Sequence, residues 1–521
     1  MGGANHLVDQ IRAAIPSPAK TFAETPAGTR FSYGDLFGLS ARYAHVLVDL
    51  GLRPGDRVAM QVQKSIPALV LYLATLRAGG VFLPLNPAYT AQEMGYFLGD
   101  AAPHVLVCDP GAATDLAEAA AAAGIGHVET LDQEGRGTMA DRAAAAETEF
   151  IDLPRSGDDL AALLYTSGTT GRSKGAMLSH ENLASNARAL VEAWRFGADD
   201  VLLHALPIFH THGLFVATNV ALFCGASLLY LPRFDVDAVI GGLARATVMM
   251  GVPTFYVRLL ASAALTRKST AHMRLFISGS APLPAAVHRE FEARTGHAIL
   301  ERYGMTETSM NTSNPYDGER RPGTVGPPLP GVDIRITELG SGATLARGAV
   351  GMIEIKGPNV FAGYWRMAEK TAQEFRGDGY FITGDMGRID PDGYVSIVGR
   401  EKDLIITGGL NVYPAEVERE IDKIGGVGEC AVIGVPHADL GEAVVAVLVL
   451  SPGAELAADD IGGALAGSLA GFKRPKAVFF VDALPRNAMG KIEKARLREI
   501  HRRAFGGGTG KRATFKGPPT P

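Results

Sequence analysis

The sequence predicts an α/β fold: a large N-terminal domain of α/β subdomains with mainly parallel sheets, and a small α+β C-terminal domain joined to it by a hinge. Three observations carry this. Over the first 400 residues, short apolar strand-like runs alternate with segments of helical length, the pattern of βαβ units. Near residue 400 that alternation gives way to mixed helix and strand runs. The length of 521 residues, at about 150 residues per domain, allows several domains.

Taken in chain order, Pro54-Gly55-Asp56 is a turn signal, and Val58-Ala59-Met60-Gln61-Val62 is the strand it opens. Residues 67–77 have helical length, Val81-Phe82-Leu83-Pro84-Leu85 is a second strand, and the pattern returns at 104–108. The Ala-rich run 112–123 fits a helix, and also fits a low-complexity loop. Residues 66–76 are too short to cross a bilayer. Residues 213–232 are long enough, but Thr218, Asn219, Gly225 and Ser227 interrupt them, and a buried helix followed by a buried strand is the better reading. Later, Pro414 opens a helix over 415–424 at the favoured first position. Strand-like runs follow at 430–434 and 443–450. These signals place an N-terminal domain at 1–400, a domain boundary at Arg400-Glu401-Lys402-Asp403, a small domain at 403–505, and a disordered Gly/Pro-rich tail at 506–521.

Composition excludes some functions. Lys and Arg number 50 against 55 Asp and Glu, a net charge of −5, so no basic excess supports a nucleic-acid surface. An anionic ligand must therefore be met by local groups. Cys108, Cys224 and Cys430 are far apart, which is neither a disulfide framework nor a metal spacing. They are expected as small apolar core residues in a reducing compartment, the cytoplasm. The start, Met1-Gly2-Gly3-Ala4-Asn5-His6, lacks the basic stretch and apolar run of a signal peptide. Oligomeric state is not written in the sequence.

The strongest chemical signal is Tyr165-Thr166-Ser167-Gly168-Thr169-Thr170-Gly171-Arg172-Ser173-Lys174-Gly175, which follows the apolar run 160–164. Its glycines allow close backbone approach, and successive N–H groups and hydroxyls suit phosphate oxygens. It is not a Walker A loop, because Ser173 stands where the second glycine belongs. On composition alone, a flexible surface loop fits as well.

This loop resembles the signature of the acyl-adenylate-forming superfamily, which contains acyl-CoA synthetases, luciferases and peptide-synthetase adenylation domains. Five further segments match in the family's order: Leu206-Pro207-Ile208-Phe209-His210, Tyr303-Gly304-Met305-Thr306-Glu307, Thr383-Gly384-Asp385, Gly399-Arg400-Glu401-Lys402-Asp403 and Pro485-Arg486-Asn487-Ala488-Met489-Gly490-Lys491. The resemblance spans about residues 20–505. It implies ATP, Mg2+ and coenzyme A as co-substrates, and a two-step ligase: the acid is activated as its adenylate, and the acyl group then passes to a thiol.

Residue by residue, the resemblance implies an ATP site of Thr166, Ser167, Gly168, Thr169, Thr170, Gly171, Lys174, Ala281, Pro282, Tyr303, Gly304, Met305, Thr306, Asp385, Ile397 and Arg400. Thr166 and Glu307 would hold Mg2+ through hard oxygens. Tyr303 would stack on adenine, and Asp385 with Arg400 would grip the ribose. Lys491 would stabilise charge on the phosphoryl oxygens during adenylation, with Glu307 and His210 as its catalytic companions. Ala488 stands where the family commonly has Thr, which leaves Lys491 untouched. Lys402 matches the hinge. Rotation there would withdraw Lys491 and bring Gly408-Gly409 to a thiol channel. Phe472, Arg474 and Lys476 fall in the segment that meets the CoA nucleotide.

For the acid, fatty-acyl ligases need a long apolar tunnel, whereas His210, His212, Arg258, Ser280 and Arg302 offer polar and cationic groups. A buried Arg lacking a counter-ion is costly, and a second substrate carboxylate would relieve it. An internal ion pair would relieve it equally. The segments 210–214 and 301–313 resemble malonyl-CoA synthetases, which implies malonate, with methylmalonate as a second substrate. Arg258, Ser280, Arg302 and His210 would line the acid site. Another small acid (oxalate, acetate or an aryl acid), loading of a carrier protein, and a nucleotide-binding regulator remain open. The cations at 473–476 favour free CoA, and an intact Lys491 argues against a regulator.

Overall fold

The computed structural model describes residues 4–166, 173–486 and 491–505. The tail expected at 506–521 lies outside them. The chain forms two compact units: residues 1–283, 287–333 and 355–381 in the first, and 284–286, 334–354 and 382–521 in the second.

The first unit holds two sheets. The eight-stranded sheet runs Ser309–Ser313, Leu300–Met305, Leu275–Ser278, Val248–Gly251, Val201–His204, Ser227–Tyr230, Thr21–Glu24, Arg30–Ser32. The seven-stranded sheet runs Gly363–Tyr364, Lys174–Ser179, Leu160–Thr166, Val81–Pro84, Arg57–Gln61, Val105–Cys108, His127–Thr130. Their interiors are parallel, and antiparallel strands appear only toward the ends. Runs such as Val105–Cys108 are buried at every residue, as parallel strands covered on both faces must be.

The helix Ile66–Arg77 shows why local sequence suffices here. Ser65 caps it by accepting from the Ala68 N–H, and Pro67 sits in its first turn. It is apolar on all sides and almost wholly buried, so it packs in the core instead of lying on a surface. The guanidinium of Arg77 at its end is fully engaged: Asp152 at 2.6 Å, the Phe37 carbonyl at 2.7 Å, Ser40 at 2.8 Å and the Phe150 carbonyl at 3.1 Å. The Ala-rich run is the helix Ala113–Ala122. Residues 213–232 are helix then strand as expected, but the helix begins as a buried π-turn, His212–Thr218, before Asn219–Cys224 and the strand Ser227–Tyr230. Among the described residues, no helix is long and apolar enough to cross a membrane.

The second unit carries most of a four-stranded sheet, Asp333–Thr337, Gly351–Lys356, Phe381–Ile389, Val395–Arg400, and all of a five-stranded one. The latter is built on the long hairpin Val427–His437 and Gly441–Leu450, with Ile405–Thr407, Leu410–Val412 and Ala477–Phe480 beside it. The helix after Pro414 ends at Ile421, sooner than the run 415–424 suggests. The single turn Glu401–Asp403, where the sequence places the hinge, lies between these two sheets in chain order. Of the cysteines, Cys108 is buried, whereas Cys224 and Cys430 are half-buried.

Candidate active site

The strands Leu160–Thr166 and Lys174–Ser179 pair antiparallel with Thr166 opposite Lys174, and the glycine-rich segment joins them in sequence. Ser167, Gly168, Thr169, Thr170 and Gly171 lie outside the described residues. At the loop's exit, the Lys174 ammonium stands 4.1 Å from the centre of the Tyr364 ring and 3.8 Å from Glu374. The Tyr364 hydroxyl donates to Glu307 Oε1 at 2.9 Å. Glu307 is buried, and its backbone carbonyl accepts from the Phe361 N–H at 2.8 Å. A carboxylate is a hard-oxygen donor. Among the described residues, no group of three or more His, Cys, Asp or Glu could hold a metal by itself. An ion at Glu307 would take its remaining oxygens from other groups, with phosphate oxygens and water among those Mg2+ favours.

Glu307 follows the strand Leu300–Met305, which carries Tyr303, Gly304 and Met305; Thr306 lies in the turn beyond it. Tyr303 is buried. Ala281 and Pro282 are exposed, just past the strand Leu275–Ser278.

Arg302, one residue before Tyr303, is the most unusual group in this unit. It is only 3% exposed, and its Nε and Nη2 have no hydrogen-bond partner. Burial lowers its pKa to about 9, with Tyr256 opposing. It therefore stays charged at neutral pH. Arg77 shows how this fold satisfies a structural buried guanidinium, and Arg302 is not treated that way. Gly279 lies so close that a Cβ there would fall inside contact distance of the Arg302 guanidinium, so a side chain at 279 would displace it. Next to it, Ser280 has φ +73 and places its hydroxyl 3.2 Å from His212 Nδ1. His212 is buried with Nε2 unpartnered. Burial, and then the Arg302 charge, push its pKa well down, so the ring is neutral. His210 is half-buried; its Nδ1 accepts from the His212 N–H at 3.4 Å.

Arg258 is placed differently from the sequence expectation of a buried cation. It is exposed, in the last turn of the helix Pro253–Leu260, whose buried face is Pro253, Tyr256, Leu259 and Leu260. Burial therefore gives Arg258 no need of an anion, and only Arg302 has one.

Two groups went unread in the sequence. Tyr364 is one. The other is Lys64, which is buried just beyond the strand Arg57–Gln61. Its ammonium nitrogen lies 3.0 Å from His204 Nδ1, 2.8 Å from the His204 carbonyl and 4.3 Å from the Tyr230 ring centre. Burial draws its pKa far below the ordinary lysine value. Lys64 lines a cleft of ≈ 240 Å³ with Pro207, Phe209, Arg233 and Phe255. The cleft opens at the C-terminal ends of parallel strands, where α/β sheets bind ligands. A lysine directly after an apolar strand was the available signal.

In the second unit, Asp385 and Arg400 face each other across antiparallel strands, with Arg400 Nε 2.8 Å from Asp385 Oδ1. Asp385 is buried and Ile397 half-buried, on the same strand as Arg400. Lys402 is exposed. Gly408 and Gly409 form the two-residue turn between Ile405–Thr407 and Leu410–Val412, both with positive φ, the backbone of a type I′ hairpin. Phe472 packs against the apolar core of the five-stranded sheet. Lys473 is tied to Glu416 at 2.6 Å and Lys476 donates to the Gly471 carbonyl at 2.8 Å, while Arg474 makes no ion pair among the described residues. Lys491 is exposed, just before Ile492, which bridges to Arg486.

Residues 12–365 match the family model described as AMP-binding enzyme, and residues 416–491 match its C-terminal domain. The chain is 37% identical to a feruloyl-CoA synthase of an Amycolatopsis species, over 94% of this chain and 97% of that protein. It is 33% identical to the malonate–CoA ligase of Arabidopsis thaliana, over 95% and 89%. The crystal structure of ATP-bound MatB from Rhodopseudomonas palustris superposes with a TM-score of 0.94 at 60% identity, covering 96% of this chain and 99% of that one. The chain belongs to the AMP-binding enzyme family. Within it, it is an ATP-dependent enzyme of the acyl-CoA synthetase class.

Proposed function

We propose that this enzyme is a cytoplasmic malonate–CoA ligase, converting ATP, malonate and CoA to AMP, diphosphate and malonyl-CoA through malonyl-adenylate, with methylmalonate as a second substrate. The observation that carries the acid assignment is Arg302: charged, buried, and short of two hydrogen-bond partners. The distal carboxylate of malonate supplies what it lacks, in a charge-assisted bond worth about 1.5–3 kcal/mol. Ser280 and the neutral His212 stand beside it as hydrogen-bonding groups. The likeness to a malonate–CoA ligase supports the same acid. The acid the 37% relative is named for has a single carboxylate and so offers no second anion to Arg302.

In the first half-reaction, the proximal carboxylate attacks the α-phosphorus and diphosphate departs. Lys491 stabilises the growing negative charge, Glu307 and Thr166 would hold a magnesium ion, which would supply charge neutralisation at the phosphates, Tyr303 seats the adenine, and Asp385 with Arg400 holds the ribose. In the second, the CoA thiol displaces AMP, with Gly408-Gly409 at the thiol channel, His210 beside the acyl group and the 472–476 segment at the nucleotide of CoA. Arg258 joins the acid site on sequence resemblance alone.

The test is the malonate-to-acetate ratio of kcat/KM. Arg302→Met keeps side-chain length and removes the charge. The ratio is expected to fall roughly 30- to 1000-fold, the equivalent of about 2–4 kcal/mol, with KM for ATP little changed. An unchanged ratio would remove the assignment's physical support. Arg258→Ala in the same assay decides whether that exposed cation has any part.

A further inference from the structure

Glu307 lies in a turn, so its carboxylate must be oriented by neighbours. One comes from a distant part of the chain. The two-residue strand Gly363–Tyr364 pairs along Lys174–Ser179, with Tyr364 opposite Ala176. Tyr364 is therefore fixed to the strand that follows the glycine-rich segment in sequence. Its backbone N–H donates to Thr371 Oγ1 at 2.9 Å, and its ring packs edge-on against Phe361, centres 4.9 Å apart. Phe361 in turn donates its N–H to the Glu307 carbonyl. From this framework the buried phenol reaches Glu307 Oε1. The Lys174 ammonium lies over the ring face. A cation held there withdraws electron density and favours donation by the O–H.

We propose that Tyr364 is a positioning residue for the metal-dependent step. Its hydroxyl claims one carboxylate oxygen of Glu307 and so presents the carboxylate to the nucleotide-bound magnesium ion in a single orientation. Lys174 at the loop exit shares the same ring, so the phosphate-binding hairpin and the metal ligand are set by one side chain. Partners that orient a metal ligand are typically worth about 10- to 100-fold in metal affinity. This inference rests on Glu307 as the metal ligand.

The experiment titrates Mg2+ against binding of a fluorescent ATP analogue, without acid or CoA, for wild type, Tyr364→Phe, Tyr364→Leu and Glu307→Gln, with thermal melting and the acid's KM measured alongside. Tyr364→Phe keeps the ring, its packing and its cation contact, and removes only the hydroxyl. The Mg2+ concentration for half-maximal binding is expected to rise about tenfold, with melting temperature and acid KM unchanged. Glu307→Gln should shift it at least as far. If Glu307→Gln is shifted but Tyr364→Phe titrates like wild type, Tyr364 is packing only and the proposal is wrong. The same holds if Tyr364→Leu alone is shifted. If Glu307→Gln itself titrates like wild type, the reading of Glu307 as ligand fails, and the role of Tyr364 with it.

Discussion

Neighbouring residues of one strand, Glu301 and Arg302, are both buried charges, and the fold treats them in opposite ways. Arg302 keeps its charge and lacks partners, which is the condition of a group waiting for a ligand. Glu301 accepts from the Leu283 N–H at 3.2 Å and the Gly323 N–H at 3.4 Å, yet burial still pushes its pKa up to about 7. A carboxyl raised in the folded state binds its proton there while the unfolded chain has already lost it. Its stabilising contribution is therefore complete below the unfolded value near 4.5 and disappears as pH rises toward 7. The size is about 3 kcal/mol at most. Glu301→Gln keeps an acceptor for Leu283 and cannot ionise. Its denaturant midpoint should fall less than that of wild type between pH 5 and pH 8, and parallel curves would show that Glu301 ionises freely in the folded protein.

At the scale of elements, the close approach of Gly279 to Arg302 separates specificity from stability. A methyl at Gly279 meets the far end of a flexible side chain rather than backbone, so the strand Leu275–Ser278 should survive. Gly279→Ala is expected to lower kcat/KM for malonate roughly tenfold or more by displacing the guanidinium, while costing under about 1.5 kcal/mol in unfolding free energy. A large drop in melting temperature with an unchanged substrate ratio would mean that Gly279 serves packing alone. The same scale explains what the sequence disclosed. Strands such as Arg57–Gln61 and helices such as Ile66–Arg77 carry their own signals in apolar runs, caps and prolines. The order of motifs likewise singled out Asp385 and Arg400, which the fold sets opposite each other across antiparallel strands. The phase of the helix Pro253–Leu260 was also legible: Pro253, Tyr256 and Leu260 mark one face and exclude Arg258 from it. The π-turn at His212–Thr218 was not legible, because its register follows from the hold of His204 and Thr218 on the Gly213 carbonyl, at 2.8 and 2.9 Å. The contact of Tyr364 with Glu307 joins residues 57 positions apart through a sheet edge, and no local pattern encodes it.

At the scale of the whole chain, two half-reactions divide the proposed work of the second unit, and Lys491 is proposed to serve the first of them. Charge accumulates on the phosphoryl oxygens only while diphosphate leaves; attack of a thiol on the finished adenylate needs no ammonium at that place. Lys491→Ala is therefore expected to lower adenylation, read as malonate-dependent pyrophosphate exchange, by about 10²- to 10³-fold, the usual worth of a single charge-stabilising group. Thioester formation from supplied malonyl-adenylate and CoA should change little. Lys402→Pro tests the same division at the proposed hinge. Proline fixes φ near −65° and biases the preceding Glu401 toward extended backbone, at a turn whose Leu404 N–H closes on the Glu401 carbonyl at 3.0 Å. Its losses in the two half-reactions should be unequal, because one arrangement of the turn is favoured over the other. Equal, mild losses would place the hinge outside 401–403. Comparable large losses in both half-reactions for Lys491→Ala would show that this lysine serves both steps, and the separation of roles along the chain would have to be drawn elsewhere.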